Sequence, residues 1–199
     1  METTKTGIPL RSKILLSFAD CMCATMAGLV TGGGLTYYFT RWMGLDPAKA
    51  AVVWLIFGIW NAVNDPLFGY ISDRTKSKLG RRIPYIRYGA PFYALVFILC
   101  WVSFPFAGSQ WAMFAQMLVT LFLFDTLYTA IATAIYVMPY EMTVDNGERG
   151  SIFIWKIVFS VFSLAAPLVL LPLIQPDPGA DATDFRLVMT GIGVLAGCV

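Results

Sequence analysis

Long apolar runs, separated by short polar connections, recur along the whole chain. About 20 apolar residues are enough for an α-helix to cross the hydrocarbon core of a bilayer. The last run stops at residue 199 and is too short to cross, because a helix rises only about 1.5 Å per residue. The pattern therefore predicts six membrane spans, at residues 14–39, 48–71, 88–107, 111–138, 152–174 and, incompletely, 187–199.

These spans predict an all-α membrane protein in which residues 1–199 form one transmembrane unit. Because the sixth run is too short, we interpret the sequence as ending inside a helix and as part of a larger protein. The first run is far longer than the apolar core of a signal peptide, so it is interpreted as an uncleaved first span. The alternative to a fragment is a half-size membrane protein that does not transport anything.

Basic residues collect on one side of the predicted spans. Of the 14 lysines and arginines, only Arg41, Lys49 and Arg186 fall on the first side and Lys156 falls within a span, so the others share the second side. Many of them lie in residues 74–87, which we call the basic segment. Positive residues flank spans mainly on the cytoplasmic side. This distribution predicts a multi-pass plasma-membrane protein with a cytoplasmic N-terminus.

Composition supports the membrane assignment and narrows the function. The chain is 58% hydrophobic and 13% charged, whereas soluble domains carry about a quarter charged residues. It has no histidine, which excludes histidine-based catalysis and zinc–histidine sites. We expect no enzyme activity and no cofactor. A nucleic-acid partner is also not expected, because a short basic loop held at both ends by the membrane offers little surface.

Four charged residues fall inside predicted spans, where each costs about 2.5–3.5 kcal/mol on insertion scales. Such residues normally face the interior of the bundle or a water-filled cavity. Each is therefore a candidate functional residue, although a purely structural ion pair, with Lys156 neutralising one acid, is the alternative. The four are Asp20, Asp65, Asp125 and Lys156.

Asn61 and Asp65 are four residues apart and therefore share one face of the second predicted helix. A carboxylate and an amide oxygen at this spacing suit a small hard cation, and the carboxylate alone suits a proton. Pro66 follows directly and frees a backbone carbonyl one turn earlier. The alternative is that Asn61 and Asn64 only form hydrogen bonds between helices. No metal site is expected beyond Na⁺ at Asp65.

Two further features have both a structural and a functional interpretation. The run Thr31–Gly34 favours close helix packing or a hinge over a phosphate loop, because the Lys and Ser/Thr of such a loop are missing. Aromatic rings near the charged span residues could stack on a sugar, but most aromatics in membrane proteins lie at interfaces or fill cores. The candidates are Tyr128, near Asp125, and Trp155, beside Lys156.

Two stretches carry a family resemblance. "GYISDRTKSKLGRR" resembles the signature loop between the second and third spans of the major facilitator superfamily, and "MPYEMTVDNGERG" resembles the loop between the fourth and fifth spans of one of its groups. That group is the glycoside–pentoside–hexuronide:cation symporters, related to melibiose permease. The signature residues are Gly69, Asp73, Arg74, Gly80, Arg81 and Arg82.

The resemblance implies that this chain is the N-terminal six-span half of a twelve-helix carrier. Such carriers have a central site between two halves and work by alternating access. The expected function is symport of a sugar or glycoside with H⁺ or Na⁺, and the expected partners are the solute, the bilayer and a C-terminal half. An amphipathic, lysolipid-like solute, as in other relatives of the group, is the alternative.

The resemblance also implies roles for individual residues. The family's cation site has two acids four apart on the second span; Asp65 matches, whereas Asn61 departs and favours coupling to H⁺. Asp20 and Lys156 match sugar-binding positions on the first and fifth spans. Asp125, which we also expect among the substrate-binding residues, lies nearly two turns from the family's fourth-span acid, so the galactoside-binding pair of acids is not reproduced.

The basic segment acquires a second role from the resemblance. In the superfamily this loop holds the two halves together in the outward-facing state, so we expect a conformational latch as well as a topology signal. Gly69 is expected to allow a close approach of helices. If the latch is present, neutralising Asp73 should change the transport rate more than the solute affinity.

Overall fold

The computed structural model describes residues 7–102, 104, 108–173 and 182–197. Within this part of the chain every element is a helix, so the predicted all-α fold class is confirmed. Parts of the predicted third, fifth and sixth spans, at 103, 105–107, 174 and 198–199, lie outside the described residues. The helices are α1 (Leu10–Trp42), α2 (Pro47–Arg74), α3 (Ile83–Leu99), α4 (Gln110–Met142), α5 (Asn146–Leu173) and α6 (Thr183–Gly197).

Four of these helices, α1, α2, α4 and α5, are long and apolar enough to cross a membrane. They extend beyond the predicted spans because capping groups and polar residues continue the helix past its apolar part. At α2, for example, Pro47 fits the first turn and the Asp46 carboxylate accepts a hydrogen bond from the Ala48 backbone N–H at 2.9 Å.

The third helix differs from the prediction. The predicted span was 88–107, whereas α3 is apolar but only 17 residues long and begins at Ile83, within the basic segment. The earlier start is explained by Pro84, whose fixed φ and missing N–H suit the first turn of a helix. The first residue of α3 therefore directly follows Arg82.

A break interrupts α1 at its glycine run. Gly32 (φ −73°, ψ 17°) and Gly33 (φ 100°, ψ −10°) leave helical geometry, and the positive φ of Gly33 is one that side chains rarely tolerate. A Cβ on Gly34 would lie 2.2 Å from the Leu29 carbonyl oxygen. The run is thus both a helix interruption and a site of close packing.

Helix α1 packs along α5, while α4 packs against α2 and α3. At the α1–α5 contact, a Cβ on Gly28 would lie 2.8 Å from the Pro167 ring, and the Phe18 and Phe159 rings meet edge to face at 5.9 Å. The outer faces of α2 and α5 remain apolar and exposed; Leu55 is 67% and Leu164 71% exposed. These faces are available to lipid or to further helices.

Contacts between connections define the two ends of the bundle. At one end, Lys13 Nζ at the start of α1 lies 2.8 Å from Glu148 Oε2 at the start of α5. This end also carries the basic segment, and we call it the basic end. At the opposite end, the Gln110 side chain donates to the Gly44 carbonyl at 2.7 Å and accepts from the Asp46 N–H at 2.9 Å. The described connections that make these contacts therefore lie on the sides that the sequence predicts.

Candidate functional site

A buried hydrogen-bonded cluster joins the middle of α2 to the middle of α4. Asn64 Nδ2 donates to Asp125 Oδ2 at 2.8 Å and to Thr129 Oγ1 at 3.1 Å. The Thr129 hydroxyl in turn donates to Asp65 Oδ1 at 3.0 Å. Two carboxylates from different helices are thereby held in one network.

Asn61 completes this cluster. In the amide orientation that satisfies both side chains, its nitrogen lies 3.1 Å from Asp65 Oδ2 and 3.3 Å from Asp65 Oδ1. Asn64 and Asp125 are buried, whereas Asp65 lies at the exposed edge. We call Asn61, Asn64, Asp65, Asp125 and Thr129 the amide–carboxylate cluster.

The cluster regroups the residues picked out in the sequence. Asn61 and Asp65 lie together, as their spacing predicts. Asp125, expected among the substrate-binding residues, belongs to this cluster through its hydrogen bond with Asn64, and its contact with substrate stays a prediction. Asn64 was considered only as interhelical glue and Thr129 was missed; the available signal was its position four residues after Asp125, on the same helical face.

The donor set of the cluster fits a small monovalent cation or a proton. It offers carboxylate, amide and hydroxyl oxygens, which hard cations prefer. The buried Asn64 Oδ1 has no hydrogen-bond partner among the described residues. Within the same part of the chain, no group of three or more His, Cys, Asp or Glu side chains forms a site for a transition metal.

A second charged site lies between α1 and α5, where Lys156 Nζ is 3.3 Å from Asp20 Oδ2. The Lys156 side chain is only 11% exposed, whereas that of Asp20 is 38% exposed. The pair balances its own charge, as the structural interpretation requires. Its exposed carboxylate can still accept a hydrogen bond from a ligand hydroxyl, which the substrate interpretation requires.

Of the two aromatic candidates, Tyr128 lines a cavity inside the helix bundle, whereas Trp155 packs near another aromatic ring. Tyr128 lines a cavity together with Asn61 and Asp125, one side of its ring facing Tyr93 at 6.3 Å between centroids. Trp155 packs near Phe159, with ring centroids 6.5 Å apart. Both lie on the same helices as the charged candidates.

The basic segment is organised around Arg82, whose side chain is 6% exposed. Its guanidinium donates to Asp73 Oδ1 and to Ser72 Oγ, both at 2.5 Å, and its Nε lies 3.5 Å from Glu141 Oε1. Arg81, 55% exposed, reaches the same Glu141 oxygen at 3.1 Å. Glu141 belongs to "MPYEMTVDNGERG", so the two family-like stretches meet in space.

The remaining residues of the signature loop make local contacts or adopt special backbone geometry. Gly80 has φ 91°, which favours glycine, and the Arg74 guanidinium lies 4.0 Å from the centre of the Tyr70 ring. A Cβ on Gly69 would meet no atom within 4 Å. Within the described residues no neighbouring side chain approaches Gly69 closely, and the close helix approach expected there stays a prediction.

Comparison with known proteins gives a family match and several relatives. Residues 20–199 match a family model described as MFS/sugar transport protein. The chain is similar to an uncharacterised symporter of Synechocystis (30% identity; 81% of this chain, 31% of the relative) and to YagG of Escherichia coli, named as a candidate glycoside/cation symporter (28%; 85% and 36%). It is also similar to the sodium-dependent lysophosphatidylcholine symporter 1 of mouse (24%; 76% and 30%). The chain spans about a third of the length of these curated relatives.

Proposed function

The chain belongs to the MFS/sugar transport protein family, and on that premise we propose that it is the N-terminal half of a cation-coupled symporter for a sugar or glycoside. The observation that carries the proposal is the amide–carboxylate cluster, in which hydrogen bonds join the buried Asp125 in the middle of α4 to Asp65 at the exposed edge of α2. Acids within a membrane span are costly, and they are typical of ion pathways.

In this proposal Asp65 is the coupling carboxylate, Asn61 assists it, and the coupling ion is H⁺ or Na⁺. The cation need only stabilise the conformation that binds solute, because this difference in affinity couples the two fluxes. The proposed location is the plasma membrane, with the basic end in the cytoplasm. A second six-helix half is the proposed partner, and the exposed apolar faces of α2 and α5 provide area for its contact.

Gradient-driven uptake tests the function. In cells expressing the complete gene, a panel of sugars and glycosides is offered while a Na⁺ gradient and a pH gradient are imposed separately. We expect accumulation of at least one of these solutes with one gradient and none after both gradients are collapsed. Accumulation that is indifferent to both gradients would contradict cation coupling.

An amphipathic solute is the second candidate. A groove of about 640 Å³ runs between α1 and α5 and is lined mainly by apolar side chains, including Leu164 and Leu168. Relatives named as lysophosphatidylcholine symporters add to this observation. In the same uptake assay, lysolipids and sugars are each added as competitors. Inhibition of uptake by lysolipids but not by sugars would favour an amphipathic solute over a sugar.

We propose that Asp20 and Lys156 form hydrogen bonds with solute hydroxyls. Lys156→Met should weaken the apparent solute affinity about tenfold, because a charged hydrogen bond contributes roughly 1.5–3 kcal/mol. Lys49→Met, at a partly exposed lysine over the Trp111 ring, is the matched control and should have no effect. The measurement is concentration-dependent uptake.

The double variant Asp20→Asn/Lys156→Met separates the two interpretations of this pair. It removes both charges together, so a purely structural pair would tolerate it better than Lys156→Met alone. Recovery of normal affinity in the double variant would contradict a substrate role. A further loss would support it.

A further inference from the structure

The loop between α2 and α3 surrounds an open concavity of about 750 Å³ at the basic end. Three cations, Arg74, Lys76 and Arg81, line it together with one acid, Asp73. Because Arg74 is the last residue of α2, the concavity lies where a membrane-crossing helix ends. We call it the loop concavity.

The loop concavity carries positive charge that the protein itself does not balance. Arg74 and Lys76 are exposed, and neither forms a salt bridge with an acid among the described residues. Asp73, the acid in the lining, is bound instead by the buried Arg82. The Arg74 guanidinium lies over the Tyr70 ring, a contact made by its face that leaves its in-plane N–H donors for a ligand. The concavity therefore suits an anion.

Local hydrogen bonds fix the shape of the loop. The Thr75 hydroxyl lies 2.5 Å from the Tyr85 hydroxyl, which ties the end of α2 to the first turn of α3. The Gly80 N–H donates to the Ser77 carbonyl at 3.1 Å, and the Leu79 N–H donates to Ser77 Oγ at 3.1 Å. Ser77 Oγ accepts this bond, so its own proton is left for an anion. A loop that is already ordered lowers the entropic cost of binding.

Exposed apolar side chains accompany the charges. Leu79 and Ile83 lie on either side of the arginine pair in the sequence, and both are exposed. Beyond them, Tyr88, Phe92 and Leu95 are exposed at helical spacing on α3. A soluble anion would leave these side chains in water, whereas an anionic lipid offers a charged head group and acyl chains to bury them.

We infer that the loop concavity binds the phosphate of an anionic phospholipid, with Arg74 and Lys76 as its cations and the exposed face of α3 along its acyl chains. Anionic lipids of the cytoplasmic leaflet attract basic residues next to membrane spans. The inference uses the proposed orientation of the basic end but needs neither a coupling ion nor a solute. It gives Lys76, which is not a signature residue, a role separate from the latch.

Lipid titration of the purified full-length protein tests the inference. The protein in detergent is titrated with phosphatidylglycerol or phosphatidylcholine, and native mass spectrometry counts the bound lipids. We expect saturable binding of phosphatidylglycerol at lower concentration than phosphatidylcholine, which has the same phosphate but no net charge. Inorganic phosphate in large excess should not displace phosphatidylglycerol, because it has no acyl chains.

Two neighbouring lysines locate the bound lipid. Lys76→Gln should raise the half-saturating phosphatidylglycerol concentration about fivefold, the usual contribution of one basic residue at an anionic surface. Lys78→Gln removes the same charge two residues away, outside the lining, and should raise it less than about twofold. Lys76→Arg keeps the charge and should bind the lipid as the native protein does. All three variants should unfold at the native temperature, because both lysines are exposed.

Each outcome decides the inference. A loss of affinity in Lys76→Gln that Lys78→Gln does not share supports it. Equal binding of the two lipids, or equal effects of Lys76→Gln and Lys78→Gln, overturns it, because the charge would then act without a defined site. Displacement by inorganic phosphate overturns it in favour of a soluble anion. Lipid binding is measured without transport, so failure of the uptake assay would leave this site standing, and failure here would leave the proposed symport standing.

Discussion

Asp65→Asn is expected to abolish accumulation of solute against its gradient while leaving solute exchange across the membrane. The asparagine keeps an oxygen that can accept the hydrogen bond from Thr129, so the packing of α2 on α4 should survive. The substitution removes one of the two carboxylates in the cluster, and with it a ligand for a cation or the acceptor for a proton. Without that ligand the cation no longer favours the solute-binding state.

The measurement compares net uptake with exchange in cells that express the complete gene. Accumulation should fall to the equilibrium level, whereas exchange of labelled for unlabelled solute should stay within about threefold of the native rate. Asp184→Asn, at an exposed acid in the first turn of α6, is the control and should behave as the native protein. Accumulation that persists in both Asp65→Asn and Asp65→Cys would remove Asp65 from the coupling mechanism.

Helical spacing made part of this site predictable. Asn61 and Asp65 are neighbours because they are four apart on one helix, and this holds for any continuous helix. The same argument could not place Asp125, because its partner Asn64 lies on another helix and the register between α2 and α4 is set by packing. The family resemblance predicted from two loop motifs is confirmed by the match over residues 20–199.

The errors of the sequence analysis have local physical causes. An apolar run does not mark its helix start when a proline and a buried arginine extend the helix into a polar segment, as at α3. The burial of Arg82 beside the exposed Arg81 follows only from the three-dimensional position of Ser72, Asp73 and Glu141.

Helix α4 connects the two groups of charged residues. It carries Asp125 and Thr129 in its middle and Glu141 near its end, and Glu141 is 12 residues beyond Thr129, or about 18 Å along a helix. A cation that changes the contacts of Asp125 acts on the same rigid element that Arg82 holds at the basic end. The two sites therefore share a physical connection, and the contribution of each can be measured separately.

Arg82→Gln is expected to lower the transport rate strongly, and Arg81→Gln only slightly. Arg82 is buried and its guanidinium joins the end of α2 to the end of α4 through Asp73 and Glu141. Loss of these charged hydrogen bonds should cost on the order of 3 kcal/mol. Arg81 contacts the same Glu141 from solvent, and an exposed pair contributes at most about 1 kcal/mol.

The two adjacent arginines form a matched pair for thermal unfolding and transport assays. Arg82→Lys keeps the charge but not the fork of donors, so its unfolding temperature should lie between those of Arg82→Gln and the native protein. Equal effects of Arg81→Gln and Arg82→Gln would show that burial of Arg82 has no special role.

If the basic segment is a latch, Asp73→Asn should lower the maximal uptake rate more than the solute affinity, because the latch stabilises a conformation and does not contact solute. An unchanged uptake rate in Asp73→Asn would leave the basic segment with its topological function and no latch.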